Sequence, residues 1–380
     1  MARYGQITPI VFGEGTIHQL GEETKNFGCS KVLLISDEGV AKTQAYELGK
    51  ASLMKAGVEV VEFTKVLPDP PDHIVNDGGA LARAEKVDGL VAIGGGSPID
   101  AAKAINILVH NEPPINRYFG NPVYEPGLPL IVVPTTSGTG SEVTMIGVLT
   151  DTVNDVKTSI IGKADLGILD PMITVSVPRR GTVSTGMDAF AHACESITTK
   201  DPNPKSQLLA EDAIRRICKY LERAAEDGSD VEARSNLMLA SNFAGIAFND
   251  ALVHLGHAIA HSVGAKFHFV HGNICAVALP EVMIYAASIV PERVKIVGEA
   301  MGIEYEDDMI PQRIGEKTAQ AIRDFLRRLE VPSLKEEGLD RAELIGIADM
   351  VLTDPTYHFV PKQLTKKEVE VILGKVYDNY

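Results

Sequence analysis

The sequence predicts an α/β domain over residues 1–178 followed by an all-helical domain over residues 179–380. Three observations lead there. The chain has 380 residues, about twice the length of a common domain. Glycine and proline punctuate turns, and they are concentrated early: residues 1–180 hold 21 glycines and 13 prolines against 13 and 8 in the rest. The first part should therefore carry many short elements and the second fewer, longer ones. Finally, apolar β-rich runs alternate with helical patterns only in the first part, as in a parallel sheet covered by helices on both faces.

Taken in order, residues 32–36 read as a short buried strand, 44–56 as a helix and 58–63 as an alternating strand. Residues 74–85 are helical, 89–93 a strand, 99–108 a helix and 130–133 a strand. A last short strand is expected within residues 170–178, bracketed by prolines, and the domain boundary is set there. Beyond it, residues 187–198, 206–225, 231–248, 253–263, 291–301, 312–329 and 366–377 all carry helical patterns.

Composition narrows the function classes. With 45% hydrophobic and 23% charged residues the chain is an ordinary globular one. Its formal charge of −15 argues against nucleic acid and anionic membranes as partners, both of which need clustered basic residues. Cys29, Cys194, Cys218 and Cys275 lie far apart without a C-x-x-C, which fits a reducing cytoplasm. Residues 1–15 show no apolar core of a secretory signal, and no run is apolar for the ~18 residues of a membrane span.

The sharpest feature of the first domain is Gly94-Gly95-Gly96-Ser97, between the strand at 89–93 and the helix that follows. Glycines let a ligand approach backbone N–H groups, and a helix start adds partial positive charge, so the pair suits a pyrophosphate. It matches neither G-x-G-x-x-G nor the P-loop pattern, and a bare strand–helix turn is the other reading. Asp100 opposes an anion and fits better as a helix-start charge partnered by Lys103 or Lys157. Asp37, just after the strand at 32–36, can accept hydrogen bonds from ribose hydroxyls and repel a 2′-phosphate, or simply cap a turn. The hydroxyl-rich run at 134–142 suits a polar ligand across the strand ends.

Histidine shows the opposite bias, with seven of ten in residues 181–380. Asp188 and His192 stand at i and i+4, sharing a helix face. His257 and His261 repeat the spacing, and His271-Gly272 follows. One such pair is commonly structural. Two pairs plus a further histidine suit a borderline divalent ion such as Fe(II), Zn(II), Co(II) or Ni(II), with the ligating subset left open.

Together, Gly94-Gly95-Gly96-Ser97-x-x-Asp100, the run at 134–142, Gly186-Met187-Asp188-Ala189-x-x-His192-Ala193-x-Glu195, and His257-x-x-x-His261 with His271-Gly272 resemble the iron-containing (group III) alcohol dehydrogenases. The resemblance runs in the same order over essentially the whole chain. It implies a Rossmann-like dinucleotide domain, an all-α metal-binding domain (the dehydroquinate synthase-like architecture) and a metal in the cleft between them. It assigns Asp188, His192, His257 and His271 as metal ligands, and His261 as a non-ligating catalytic residue able to relay a proton. Gly95, Gly96 and Ser97 would hold the pyrophosphate of NAD(H). Thr135, Thr136, Ser137, Gly138 and Thr144 would line the cofactor, with Lys157 near the nicotinamide ribose and Asp69 near the nicotinamide end. Asp37 matches the acid associated with NAD preference.

The implied activity is metal-dependent hydride transfer between NAD(H) and a small-molecule alcohol, a short primary alcohol or diol, and its aldehyde or ketone. The expected ion is Fe(II), with Zn(II) as the alternative, and the expected assembly a homodimer or higher homo-oligomer. Competing expectations are a hydroxyacid–oxoacid transhydrogenase, a glycerol dehydrogenase-like enzyme and a dehydroquinate synthase-like lyase. Glu195 is expected to be structural, and His254 and His268 to be packing or surface residues. Two departures stand out: Ser262-Val263 replaces a common Pro-Leu, and Asp354-Pro355-Thr356 replaces Asn-Pro-Arg near the substrate pocket.

Overall fold

The computed structural model describes residues 4–154 and 156–380. They form two compact units, one of Gly5–Val177 and one of Pro178–Tyr380 joined by Tyr4.

In the first unit, strands β1 (Ile10–Phe12), β2 (Lys31–Asp37), β3 (Glu59–Val66), β4 (Gly89–Gly94) and β5 (Leu130–Pro134) join a later strand, Leu166–Leu169, in one six-stranded sheet. A hairpin, β6 (Ile146–Asp151) and β7 (Val156–Ile161), intervenes in sequence, so that last strand is β8. The sheet order is β1-β8-β5-β4-β2-β3, parallel throughout. Period-two alternation divides its side chains between two cores. Leu33, Ile35, Leu90, Ala92, Leu130 and Val132 face helices α3 (Asp72–Glu85) and α4 (Gly96–His110). Val32, Leu34, Val91, Ile93, Ile131 and Val133 face α1 (Leu20–Asn26) and α2 (Gln44–Lys55) through Leu20, Tyr46 and Leu53. Strands buried on both faces read as unbroken apolar runs, which is why the central ones were visible in sequence. α3 lies close on α4 because of Gly78, where a Cβ would sit 2.4 Å from Ile105 Cδ1.

The neighbours β2 and β4 lead in opposite directions, β2 through α2 to β3 and β4 through α4 to β5, with those two helices on opposite faces. Such a reversal opens a crevice at the carboxyl ends of the strands, the usual ligand position of an open parallel sheet.

β1, α1 and β8 were not anticipated, and two further features of this unit differ from expectation. The β6–β7 hairpin is antiparallel, Ile146 opposite Ile161 and Asp151 opposite Val156, and its half-exposed strands gave only weak apolar alternation. The strand expected within residues 170–178 is absent. β8 ends before it, and Pro171–Thr174 forms a single 3-10 turn. Asp170, fully buried, accepts hydrogen bonds there from the N–H groups of Met172 (3.0 Å) and Ile17 (3.1 Å). Pro171 has the backbone angle a helical first position favours.

The second unit is helical: α5 (Arg179–Thr198), α6 (Pro204–Glu226), α7 (Val231–Ala251), α8 (Leu255–Phe267), α9 (His271–Ala287), α10 (Pro291–Ala300), α11 (Pro311–Arg328), α12 (Arg341–Ile345), α13 (Ala348–Thr353) and α14 (Lys366–Asp378). The start signals are physical. Asn203 with Ser206 caps α6, and Thr365 with Glu368 caps α14, each reciprocally, satisfying N–H groups that a helix start leaves bare. α9 was not anticipated. It is buried almost all round, so it has no amphipathic period, and Pro280 inside it reads as a breaker. Among the described residues no helix is long and apolar enough to cross a membrane.

Candidate metal centre and dinucleotide-binding loops

In the second unit, α5, α8 and the start of α9 bring the predicted cluster together. Asp188 and His192 occupy successive turns of α5, His257 and His261 successive turns of α8, and His271 opens α9. Small residues make this approach available. At Gly272 a Cβ would sit 2.1 Å from the Ser184 carbonyl oxygen, so glycine alone lets the first turn of α9 press against the α5 backbone. That contact carries His271 to Asp188. Asp188 Oδ1 lies 3.5 Å from His271 Nε2 and 3.8 Å from both His192 Nε2 and His257 Nε2. His192 stacks between Phe248 and His257, with ring centroids 4.3 and 4.5 Å away.

A carboxylate oxygen and imidazole nitrogens turned on one another in a dry site are costly unless something joins them. Asp188 Oδ1 and His257 Nε2 are both buried and make no hydrogen bond. A divalent cation supplies what they lack, and this donor set of carboxylate and imidazole fits Fe(II) or Zn(II). Burial works against ionisation of Asp188, but the positive potential of His192, His271 and His257 outweighs it and holds the carboxyl well below the usual carboxylate range. Cys275, on the next turn of α9, also faces this cluster. Its Sγ is 3.5 Å from His271 Nε2, and burial pushes the thiol up to about 11. The ligand atoms of Asp188, His257, His271 and Cys275 all lie within 4.8 Å of one another. Sequence reading did not single out Cys275, although the i, i+4 spacing from His271 was there to be used.

Glu195 has a larger part than the structural one expected of it. It is fully buried, and its Oε2 binds His257 Nδ1. Its two oxygens also accept from the N–H groups of Gly256 (2.7 Å) and His257 (3.2 Å) at the start of α8. Burial disfavours the charge, yet His254, His257 and the Gly256 N–H prevail and lower the carboxyl to about 2. A carboxylate that takes Nδ1 fixes the ring and leaves Nε2 to a metal. Gly256 makes room for it, since a Cβ there would lie 3.1 Å from the carboxyl carbon. His254 is buried behind this pair, its Nδ1 3.3 Å from Glu195 Oε1 and its Nε2 2.9 Å from Thr198 Oγ1. His268 is exposed and ends α8 in a left-handed conformation. His254 is thus a packing residue and His268 a surface one.

His261 stacks on His271 with centroids 5.4 Å apart. Its Nδ1 meets Asp354 Oδ2 at 3.0 Å. Asp354 in turn starts the 3-10 turn Pro355–Phe359, accepting from the Thr356 N–H at 2.8 Å. The segment that departs from Asn-Pro-Arg thus anchors the histidine.

In the first unit, the loops at the carboxyl ends of β2, β4 and β5 gather the cofactor candidates. β4 ends at Gly94 and α4 begins at Gly96, so the Gly95–Ser97 backbone forms the helix start, whose first N–H groups have no partner within the helix. At Gly96 a Cβ would sit 2.7 Å from Thr139 Cγ2. The glycine lets the two loops close on each other, and the Thr135 N–H donates to the Gly94 carbonyl at 2.9 Å. Thr136 and Ser137 are half-buried, Thr135 and Gly138 buried. Asp37 Oδ1 accepts from the N–H groups of Gly39 (2.8 Å) and Val40 (2.9 Å), so one oxygen caps the turn. Asp69, in a left-handed conformation, accepts from Lys157 Nζ at 2.8 Å, which brings two candidates from distant sequence together.

Asp100 pairs with Lys103 rather than Lys157. Lys103 is buried, 3.7 Å from Asp100 Oδ1, and donates to Ser141 Oγ (2.9 Å), the Ile146 carbonyl (2.8 Å) and Thr144 Oγ1 (3.2 Å). This network pins the loop after β5 to α4 and engages the Thr144 hydroxyl inside it.

Comparison with known proteins agrees over the full length. The chain is 35% identical over 378 residues to choline dehydrogenase of Bacillus subtilis, covering 98% of this chain and 94% of the relative. It is 32% identical over 368 residues to NAD-dependent methanol dehydrogenase of Bacillus methanolicus, covering 96% of each. Among solved structures, 1,3-propanediol oxidoreductase superposes with a TM-score of 0.95 at 34% identity, covering 99% of this chain and 100% of that one. Residues 8–171 match the iron-containing alcohol dehydrogenase family and residues 182–377 its C-terminal counterpart, the Fe-containing alcohol dehydrogenase family, C-terminal. The chain belongs to the iron-containing alcohol dehydrogenase family.

Proposed function

We propose that Asp188, His192, His257 and His271 hold one divalent ion, and that the first unit binds NAD(H) for the oxidation of a short primary alcohol or diol or the reverse reduction. As a family member the chain is a metal-dependent, NAD(H)-linked oxidoreductase that interconverts alcohols and aldehydes. The observation that carries the residue assignment is the pair of buried atoms without hydrogen bonds, Asp188 Oδ1 and His257 Nε2, turned toward the other imidazoles.

When bound, the ion supplies Lewis acidity toward the alcohol or carbonyl oxygen, and the nicotinamide supplies the hydride chemistry. The chain's own residues do the rest. Asp188 brings a negative charge to the cation, and Glu195 keeps His257 turned so that Nε2 faces it. His261, held at Nδ1 by Asp354, keeps Nε2 for exchange of the hydroxyl proton. Gly95, Gly96 and Ser97 offer backbone N–H groups to the pyrophosphate. Thr135, Thr136, Ser137 and Gly138 line the adjoining loop, and the Asp69–Lys157 pair serves the nicotinamide end. The second oxygen of Asp37 accepts from ribose hydroxyls, favouring NAD over its 2′-phosphorylated form. Thr144 contributes through Lys103, which fixes the loop.

A cytoplasmic location belongs to the same reading, supported by four free cysteines, as a reducing compartment maintains them, and a homo-oligomer is the assembly proposed with it.

The test is NADH oxidation with a short aldehyde before and after chelation, with Fe(II) or Zn(II) added back. Activity should vanish on chelation and return with metal. His271→Ala should lose metal and turnover while NADH fluorescence still reports binding. Full activity in metal-free His271→Ala would sink the assignment.

A further inference from the structure

Asp100 and Lys103 stand one turn apart on α4, and neither is among the residues assigned to the cofactor. Their side chains grip two separate segments. One is the loop after β5: Ser141 Oγ donates to Asp100 Oδ1, and Lys103 Nζ donates to Ser141 Oγ and Thr144 Oγ1. The other is β6: the Val148 N–H donates to Asp100 Oδ2 at 2.9 Å, and Lys103 Nζ donates to the Ile146 carbonyl at 2.8 Å. Gly147, between those two contacts, brings β6 onto the helix, since a Cβ there would lie 3.3 Å from the Asp100 carbonyl oxygen. The hairpin carries the attachment onward. Thr150 stands opposite Lys157. Its N–H donates to the Pro70 carbonyl and its Oγ1 to the Asp69 carbonyl, each at 2.9 Å. Lys157 Nζ reaches Asp69 Oδ1 at 2.8 Å. The start of α4 at Gly95–Ser97 and the Asp69–Lys157 pair are therefore joined through one turn of one helix.

Lys103 is fully buried, its ammonium 3.7 Å from Asp100 Oδ1. A buried ion pair commonly holds a fold no better than an apolar pair of the same volume, so stability alone does not account for it. What it adds is direction. A one-residue slip turns every side chain of a strand to the other face, and β7 is mostly half-buried, with little apolar pattern to prevent one. Hydrogen bonds to the Ile146 carbonyl and the Val148 N–H fix that register. We propose that Asp100 and Lys103 are positioning residues that set the β6–β7 hairpin against the start of α4 and so hold the nicotinamide end of the cofactor in line with its pyrophosphate. The proposal rests on the dinucleotide reading of the first unit and names what aligns its two ends. It also gives Asp100 a task that suits a carboxylate beside an anion-binding loop, since both of its oxygens are spent on donors of the protein.

The test compares the full, metal-loaded chain with Asp100→Ala. ADP-ribose, which carries the pyrophosphate without the nicotinamide, is titrated by calorimetry. NADH is followed by the shift and enhancement of its own emission, which report the surroundings of the bound nicotinamide. Single-turnover mixing with a short aldehyde gives the rate of hydride transfer. Asp100→Ala should bind ADP-ribose as the wild type does, lose the emission change and transfer hydride at least about 10-fold more slowly, since misplacing reacting groups by about 1 Å costs up to about 100-fold. Asp100→Asn, whose oxygen still accepts from Val148 and whose amide donates to Ser141, should recover both. Should Asp100→Ala fail to fold, Lys103→Met fills the same space without the hydrogen bonds and carries the same expectation. Hydride transfer at the wild-type rate in these variants, no recovery in Asp100→Asn, or equal losses of ADP-ribose and NADH affinity would overturn the positioning role and leave the cofactor reading standing. A wild type that binds neither ADP-ribose nor NADH would overturn both readings.

Discussion

Glu195 shows how one residue can matter without touching a metal. Its carboxylate joins His257 Nδ1 to the N–H groups that open α8, so ring orientation and helix start depend on one buried charge. Glu195→Gln keeps the shape but removes that charge and turns one acceptor into a donor facing donors. We expect metal affinity to fall about 10–100-fold, the usual cost of losing such a partner, with far-ultraviolet circular dichroism little changed. Chelator competition reads the affinity, and an unaltered value would show that the pair only packs. The sequence made Asp188 and His192 legible because four residues on a helix define a shared face. What stayed hidden was the pairing of Glu195, because His257 lies 62 residues away, a distance that no local spacing reveals. The same holds for Asp69 and Lys157, 88 residues apart, and for His261 and Asp354, 93 apart.

At the scale of elements, the legible strands were those with an unbroken apolar run, such as β4 and β5, and the alternating β3, while the short β1 and β8 were not anticipated although β8 is buried throughout. Other elements escaped for different reasons: α9 is buried nearly throughout and so has no amphipathic period, and in the β6–β7 hairpin β6 alternates buried and half-buried positions while β7 is mostly half-buried. Beside the contacts of Lys103 with the Ile146 carbonyl and of Asp69 with Lys157, the hairpin is anchored by Asp72 at the start of α3. That buried carboxylate accepts from Thr152 Oγ1 and Asn116 Nδ2, each at 2.7 Å, and from the His73 N–H at 2.7 Å. Burial raises its pKa, but these donors prevail and hold it below 3.8. A carboxyl depressed in the folded state stabilises above its unfolded value, and the gain is lost as pH falls through the folded one. Asp72→Ala should therefore destabilise the chain by about 1.5–3 kcal/mol at neutral pH. The difference in melting temperature from wild type should shrink as pH drops below 3.8. A gap that widened in acid would contradict this account of the hairpin's anchor.

For the whole molecule, the early bias toward glycine and the later bias toward histidine mark a division of labour. Residues 1–180 carry 15 basic and 21 acidic residues, and residues 181–380 carry 21 and 30, so neither part is a basic module. Under the proposed function an anionic dinucleotide must be held by local means, the N–H groups at Gly95–Ser97 and the ammonium of Lys157, against the overall field. The second unit meets the opposite problem, a cation drawn by the carboxylate of Asp188 among the imidazoles of His192, His257 and His271. The central claim is that these residues form a metal centre. Its most direct test is metal analysis of the full chain purified anaerobically, beside Asp188→Ala prepared in the same way. One divalent ion per chain in the wild type, and loss of that ion in a variant with unchanged circular dichroism, is the expected result. Retention of one ion per chain by Asp188→Ala would contradict it.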